Sequence, residues 1–126
     1  MRSVNKVLLM GYLAADPEMA QTPSGINVAK FKVATNRDWK TLDGEKHQAT
    51  DFHKIIAWRK LGEICGQYLK KGTGVYVEGR LSNNSFEGKD GSKRVLTEVV
   101  ADEVHFISHK NKNKEEINLV EVAETE

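Results

Sequence analysis

Four aromatic residues sit beside cations or in polar turns, where a core alone would not put them. Trp39 precedes Lys40, Phe52 lies two residues before Lys54, Trp58 precedes Arg59 and Lys60, and Phe86 stands next to a Gly-rich hairpin. A flat ring next to a cation, on a strand or loop tip, suits an unpaired base and its phosphate, and that combination marks a surface for single-stranded nucleic acid. Buried packing is the ordinary fate of an aromatic side chain. Phe86, between Ser85 and Glu87, has nothing apolar beside it, and Trp39 lies in a polar stretch.

Other chemistries find less support. His105 and His109 are four apart, but their segment reads as the end of a strand, which does not bring them onto one helical face. His47, His53 and Cys65 are scattered, so neither a metal site nor a cofactor is expected. Gly72 and Gly74 run from helix into strand, the reverse of a phosphate-cradling loop. No Ser or Cys has a base and an orienting acid in its sequence context, so no catalytic residue is expected and the chain reads as a non-enzyme.

The elements that must position these rings are mostly short strands. Residues 4–13 form a β-rich run that ends at Asp16-Pro17, where Pro cannot continue a central strand. Residues 21–25 are a turn cluster. Residues 28–35 alternate, with Ala29, Phe31 and Val33 on one face and Lys30, Lys32 and Ala34 on the other. Asp43-Gly44 suits a hairpin tip, and residues 50–58 form a third strand. Period two puts Phe52, Lys54, Ile56 and Trp58 on one face of it, and His53 on the other as a satisfied core or interface histidine.

The period then changes. Leu61, Ile64, Cys65, Tyr68 and Leu69 make the stripe of one short amphipathic helix, which Gly72 stops. Gly62 and Gly66 each cost it roughly 1 kcal/mol, so packing against a sheet must hold it. Residues 74–81 and 94–107 return to strand, with a hairpin tip at Gly88-Lys89-Asp90-Gly91. The order β-β-β-α-β-β predicts an all-β domain, a five-stranded Greek-key barrel of the OB-fold type with one short helix between strands three and four.

With 126 residues the chain suits one domain and a modest core. Its net charge is only +1, but the charge is uneven. The segment from Lys110 to Glu126 holds three lysines and five glutamates, leaving 16 basic and 13 acidic side chains before it. We expect a folded domain over 1–109, then a polar linker and an acidic, disordered tail over 110–126. A single Cys excludes an internal disulfide and suits a reducing cytoplasm. No apolar stretch is long enough to cross a bilayer as a helix, so no membrane partner is expected.

The run Val4-Asn5-Lys6-Val7-Leu8-Leu9-Met10-Gly11 followed by Asp16-Pro17-Glu18 resembles the opening of bacterial single-stranded DNA-binding proteins. So do Ala34-Thr35-Asn36 with Trp39, Asp51-Phe52-His53-Lys54, Trp58 with Lys60-Leu61, Tyr68-Leu69-Lys70-Lys71-Gly72, Val75-Tyr76-Val77-Glu78-Gly79 and Thr97-Glu98-Val99-Val100-Ala101-Asp102. The resemblance runs from about residue 3 to 107, each motif weak alone but all in order at the family's spacing. It implies a cytoplasmic, nucleoid-associated OB-fold protein, usually a homotetramer, that coats single-stranded DNA in replication, recombination and repair. It also implies that Trp39, Phe52, Trp58 and Phe86 stack bases, and that Lys6, Lys54, Arg59, Lys60, Lys71 and Arg94 contact phosphates.

The departures are specific. Ala20-Gln21 stands where the family often has Arg-Tyr, and Ser82-Asn83-Asn84-Ser85 stands where Arg residues often precede the last aromatic. Both remove positive charge and predict weaker or more salt-sensitive binding, with Arg59 restoring one contact. The tail closes Val122-Ala123-Glu124-Thr125-Glu126; the resemblance implies replication and repair proteins as partners, but the family's Pro-Phe docking tip for them is not in this sequence. Rival functions are an OB-type primosomal adaptor, an RNA chaperone, or a protein-interaction domain with its rings buried.

Overall fold

The computed structural model describes residues 1–108 and the backbone of 118–123. The chain forms β1 (Val7–Leu13), β2 (Glu18–Gln21), β3 (Asn27–Lys40), β4 (Lys46–Trp58), α1 (Arg59–Tyr68), β5 (Gly74–Glu87), β6 (Lys93–Ser108) and β7 (Asn118–Ala123). Strands run in the order β1-β5-β6-β4-β3, and β1 pairs again with β3 at Tyr12↔Ala34 and Leu13↔Val33. That pairing closes a five-stranded barrel of the expected OB type, with its one helix between β4 and β5.

Alternation dictates the inside. Phe31, Val33, Ile55, Val75, Val77, Val99 and Val104 point inward with Leu13, and Leu61, Cys65 and Leu69 of the helix side complete the cluster. Burial pushes the Cys65 thiol up to about 12, because a thiolate has no water around it there. Tyr68, expected in the buried stripe, is instead exposed at the last helical position, its ring 6.0 Å from that of Phe106. Three apolar positions one turn apart already fill the contact, and the amphipathic tyrosine can keep its hydroxyl in water.

The two helix glycines have different surroundings. A Cβ on Gly62 would stand 2.5 Å from the Ala57 carbonyl oxygen and 3.1 Å from the Ala29 nitrogen, both backbone. A Cβ on Gly66 would meet only the flexible thioether end of Met19. Gly62→Ala is therefore expected to lower stability by about 1–2 kcal/mol despite better helix propensity, since overpacking outweighs the gain. Gly66→Ala is expected to be neutral or stabilising by up to about 1 kcal/mol. Urea unfolding of both variants checks this, and equal losses at the two sites would refute the packing explanation.

Two strand pairs reach past the barrel. β3 and β4 stay paired from Val28↔Trp58 out to Lys40↔Lys46, and β5 and β6 out to Glu87↔Lys93. Sequence alternation locates only their barrel ends, because beyond the rim both faces meet water and either may be polar. The arms turn at Gly44 (φ 87°) and Gly91 (φ 85°), left-handed positions that suit glycine, at the expected hairpin tips. β2, unforeseen, is a four-residue edge strand on β3 whose side chains are all exposed and so leave no pattern. β7 pairs with β6 from Glu103↔Ala123 to Ser108↔Asn118, so part of the anticipated disordered tail is extended chain on a sheet edge. The rest of that tail, 110–117 and 124–126, lies outside the described residues, as does residue 109 of the expected domain.

Candidate nucleic-acid interface

All four singled-out rings are open to solvent: Trp39 42%, Phe52 59%, Trp58 38% and Phe86 49% exposed. Full burial would have left no stacking surface, so these fractions decide between a core role and an accessible one.

Strand register fixes which way each ring faces. Phe52 and Trp58 share the outer face of β4, as period two requires, and their β3 partners on that face are Ala34 and Val28. Between the rings, Lys54 lies opposite Lys32 and Ile56 opposite Lys30. Three ammonium groups therefore line one stretch of outer sheet between two rings, beside a concavity of about 390 Å³ also lined by Asp16 and by Glu18, the β2 partner of Lys30. Lys30 and Lys32 were not among the expected phosphate contacts. Alternation puts them on the outer side of β3, but only the cross-strand pairing brings them against Lys54.

Phe86 belongs to the same outer surface by a longer route. Ile56 is level with Val100 of the parallel strand β6, Val100 pairs with Arg80, and Arg80, Ser82, Asn84 and Phe86 alternate outward along β5. Arg94 is the cross-strand partner of Phe86 and forms an ion pair with Asp90 at 3.7 Å. Asp90 also accepts from Ser92, which holds its carboxyl below the usual range and keeps the turn charged. Asn84 Nδ2 donates to buried Glu98 at 3.0 Å, satisfying the one buried carboxylate on this arm.

Trp39 faces the other way. Its partner is His47, an odd number of residues from Phe52, so the two rings are on opposite faces of the β3–β4 arm. The Trp39 face continues the barrel's inward face beyond the rim, through Val33↔His53 and Thr35↔Asp51. His53 is satisfied there by the Thr35 hydroxyl at 2.8 Å, as the sequence suggested.

The remaining cations are dispersed. Lys6 pairs with Glu78 at 3.5 Å beside β5, and that carboxylate, held low chiefly by the Tyr76 hydroxyl at 2.9 Å, keeps its charge. Arg59 and Lys60 open α1 directly after Trp58, Arg59 with a left-handed backbone (φ 58°) that turns the chain from strand to helix. Lys71 lies exposed in the turn after the helix, its backbone N–H donating to Asp16 at 2.8 Å. Lys54 and Arg94 thus stand with the rings, Arg59 and Lys60 adjoin Trp58, and Lys6 and Lys71 lie on other elements.

No group of three or more His, Cys, Asp or Glu positioned for a metal occurs among the described residues. No helix among them is long and apolar enough to cross a membrane.

Residues 4–107 match the model of a family described as the single-strand binding protein family. A Neisseria meningitidis serogroup A protein named single-stranded DNA-binding protein is 44% identical over 111 residues, covering 88% of this chain and 64% of that protein. Single-stranded DNA-binding protein 1 of Chlorobaculum tepidum is 43% identical, covering 87% of this chain and 68% of its own. Among solved structures, the Plasmodium falciparum SSB complex with ssDNA superposes with a TM-score of 0.78 at 29% identity, covering 86% of this chain and 98% of that one. The chain spans about 64% of the length of the Neisseria relative.

Proposed function

The chain belongs to the single-strand binding protein family, and from that premise we propose that it captures and protects single-stranded DNA without regard to sequence during replication, recombination and repair. The observation that carries this is the outer sheet face on which Phe52, Trp58 and Phe86 stay open to solvent with Lys30, Lys32, Lys54 and Arg94 among them.

The chemistry follows from those groups. Every base has a π face, so stacking ignores sequence and contributes roughly 1–3 kcal/mol per base. Ammonium groups beside the rings neutralise phosphates and release counterions, with a salt slope of about −0.7 per phosphate on single strands. A duplex hides its base faces, so rings of this kind favour unpaired strands with no further device. Nothing in this mechanism needs a nucleophile, a metal or a cofactor, and we propose a binding protein rather than an enzyme, working in the cytoplasm at the nucleoid.

Competition of equal-length DNA, RNA and duplex oligomers for a labelled oligo-dT complex tests the proposal. Single-stranded DNA should compete best and duplex worst. A clear RNA preference would favour an RNA chaperone instead, and no displacement by any of them would favour a protein-interaction domain.

Assembly into a homo-oligomer, a tetramer by family resemblance, rests on exposed apolar surface elsewhere. Leu8, Met10 and Tyr12 are exposed on β1, next to Tyr76 on β5, and the Val4–Met10 segment, ahead of the Tyr12–Leu13 pairing with β3, offers an edge for pairing across a two-fold axis. Sedimentation at micromolar concentration should find an oligomer, and a monomer there would rule this assembly out.

A further inference from the structure

The β3–β4 arm carries a second set of groups on the face away from Phe52. Trp39 and His47 lie with ring centroids 5.4 Å apart and planes 17° from parallel, a stacked pair in which the imidazole holds the indole upright on the sheet. The Arg37 guanidinium carbon stands 5.2 Å from the Trp39 ring centroid, within cation–π range. Its Nε donates to Asp51 at 2.8 Å. This hydrogen bond raises the Arg37 pKa and lowers that of Asp51, so both stay charged.

An exposed ion pair of this kind adds little to stability, so stability alone gives a weak reason for it. It does fix a flexible side chain. A guanidinium has five N–H donors in a rigid fork, and Asp51 engages only the Nε one, leaving the terminal nitrogens for a phosphate. Across from Arg37, β4 places Ala49, too small to cover the fork. A concavity of about 420 Å³ beside Trp39 and His47 is bordered by Lys40 and Lys46, with one acidic residue, Asp38. The His47 ring itself meets Glu45 at 3.6 Å, outside that concavity's lining.

We infer that Arg37 and His47 complete a nucleotide subsite around Trp39, in which one base adds to the Trp39–His47 stack and its phosphate lies on the fork that Asp51 positions. A strand occupying this subsite and the Phe52–Trp58 face crosses the arm, so the arm is wrapped rather than merely covered. The inference rests on the proposed single-stranded DNA binding and adds two contacts that the sequence does not single out. Arg37 sits between Asn36 and Asp38 in an ordinary polar stretch, and only the cross-strand register puts it over Trp39.

The test uses the whole chain and oligo-dT binding at several salt concentrations. Arg37→Gln should weaken binding several-fold and flatten the salt slope by about 0.7, one phosphate's worth. Arg37→Lys should keep the slope while losing part of the affinity, because an ammonium retains the charge without the fork. In a Trp58→Phe background, where Trp39 is the one tryptophan, His47→Ala should weaken binding and change the oligo-dT quenching of Trp39. Wild-type affinity and slope in Arg37→Gln, with wild type itself binding tightly, would overturn the subsite and leave the general function standing. Loss of affinity without any change in slope would overturn the phosphate assignment. Failure of the wild type to bind oligo-dT at all would overturn the function and the subsite together. Thermal unfolding of each variant guards against a folding defect, which is not expected on an exposed arm.

Discussion

Replacing Trp39 and Trp58 together with alanine is expected to weaken oligo-dT binding by on the order of 2–6 kcal/mol, the sum of two stacking contributions. The two rings lie on opposite faces of β3–β4 and at opposite ends of its pairing, Trp39 near the arm tip and Trp58 at the barrel end. With no shared neighbour their losses should add, so each single variant should show roughly half the effect. More than half of each side chain is covered, so thermal unfolding of each variant accompanies the titration and the loss is read as binding where the fold is intact. Anisotropy of a labelled oligomer is the readout, since the double variant has no tryptophan. Unchanged affinity would make the rings bystanders.

Converting Lys30, Lys32 and Lys54 to Gln should flatten the salt dependence by about 2 in slope, three phosphates at about 0.7 each. Between 50 and 200 mM salt, the wild type should then lose roughly twenty-fold more affinity than the variant. The three residues face one way on paired strands: Lys32 and Lys54 are cross-strand partners of each other, while Lys30 has Ile56 on one side and Glu18 of β2 on the other. They also bear on the sequence departures. Where positive charge is absent at Ala20-Gln21 and along Ser82–Ser85, the middle of this face carries Lys32, across from Lys54, and Lys30, across from Ile56. Salt sensitivity is therefore an expected property of this surface, carried by different residues. An unaltered slope in the triple variant would move the phosphate track elsewhere.

Much of this architecture was legible in the sequence, for physical reasons that also explain what was not. The barrel strands and the helix stripe bury one side only, so Phe31–Val33 and Leu61–Cys65 announce themselves by period. The turns at Gly44 and Gly91 need a left-handed residue, and glycine in a polar setting gives them away. Where no face is buried the signal vanishes. β2 is exposed throughout, and the arms continue β3 to Lys40 and β4 back to Lys46 with solvent on both sides.

The site divides in the same way. Ring type and neighbouring charge marked Trp39, Phe52, Trp58 and Phe86, and all four are exposed. Which face each ring occupies is a property of pairing, not of local sequence. Trp39 turning away from Phe52, Lys30 and Lys32 lining up with Lys54, and Arg37 coming over Trp39 all depend on the β3–β4 register. Expected contacts assigned one at a time, such as Lys6, carry no such information, and that residue is engaged by Glu78 on a different strand pair.

The central claim is that exposed indoles receive bases. Titrating the intrinsic tryptophan fluorescence of the wild-type chain with poly-dT at low and high salt tests it most directly. Saturable quenching, with a higher concentration of poly-dT needed at high salt, is the predicted result. Emission that stays constant at every ratio, in both buffers, would contradict it.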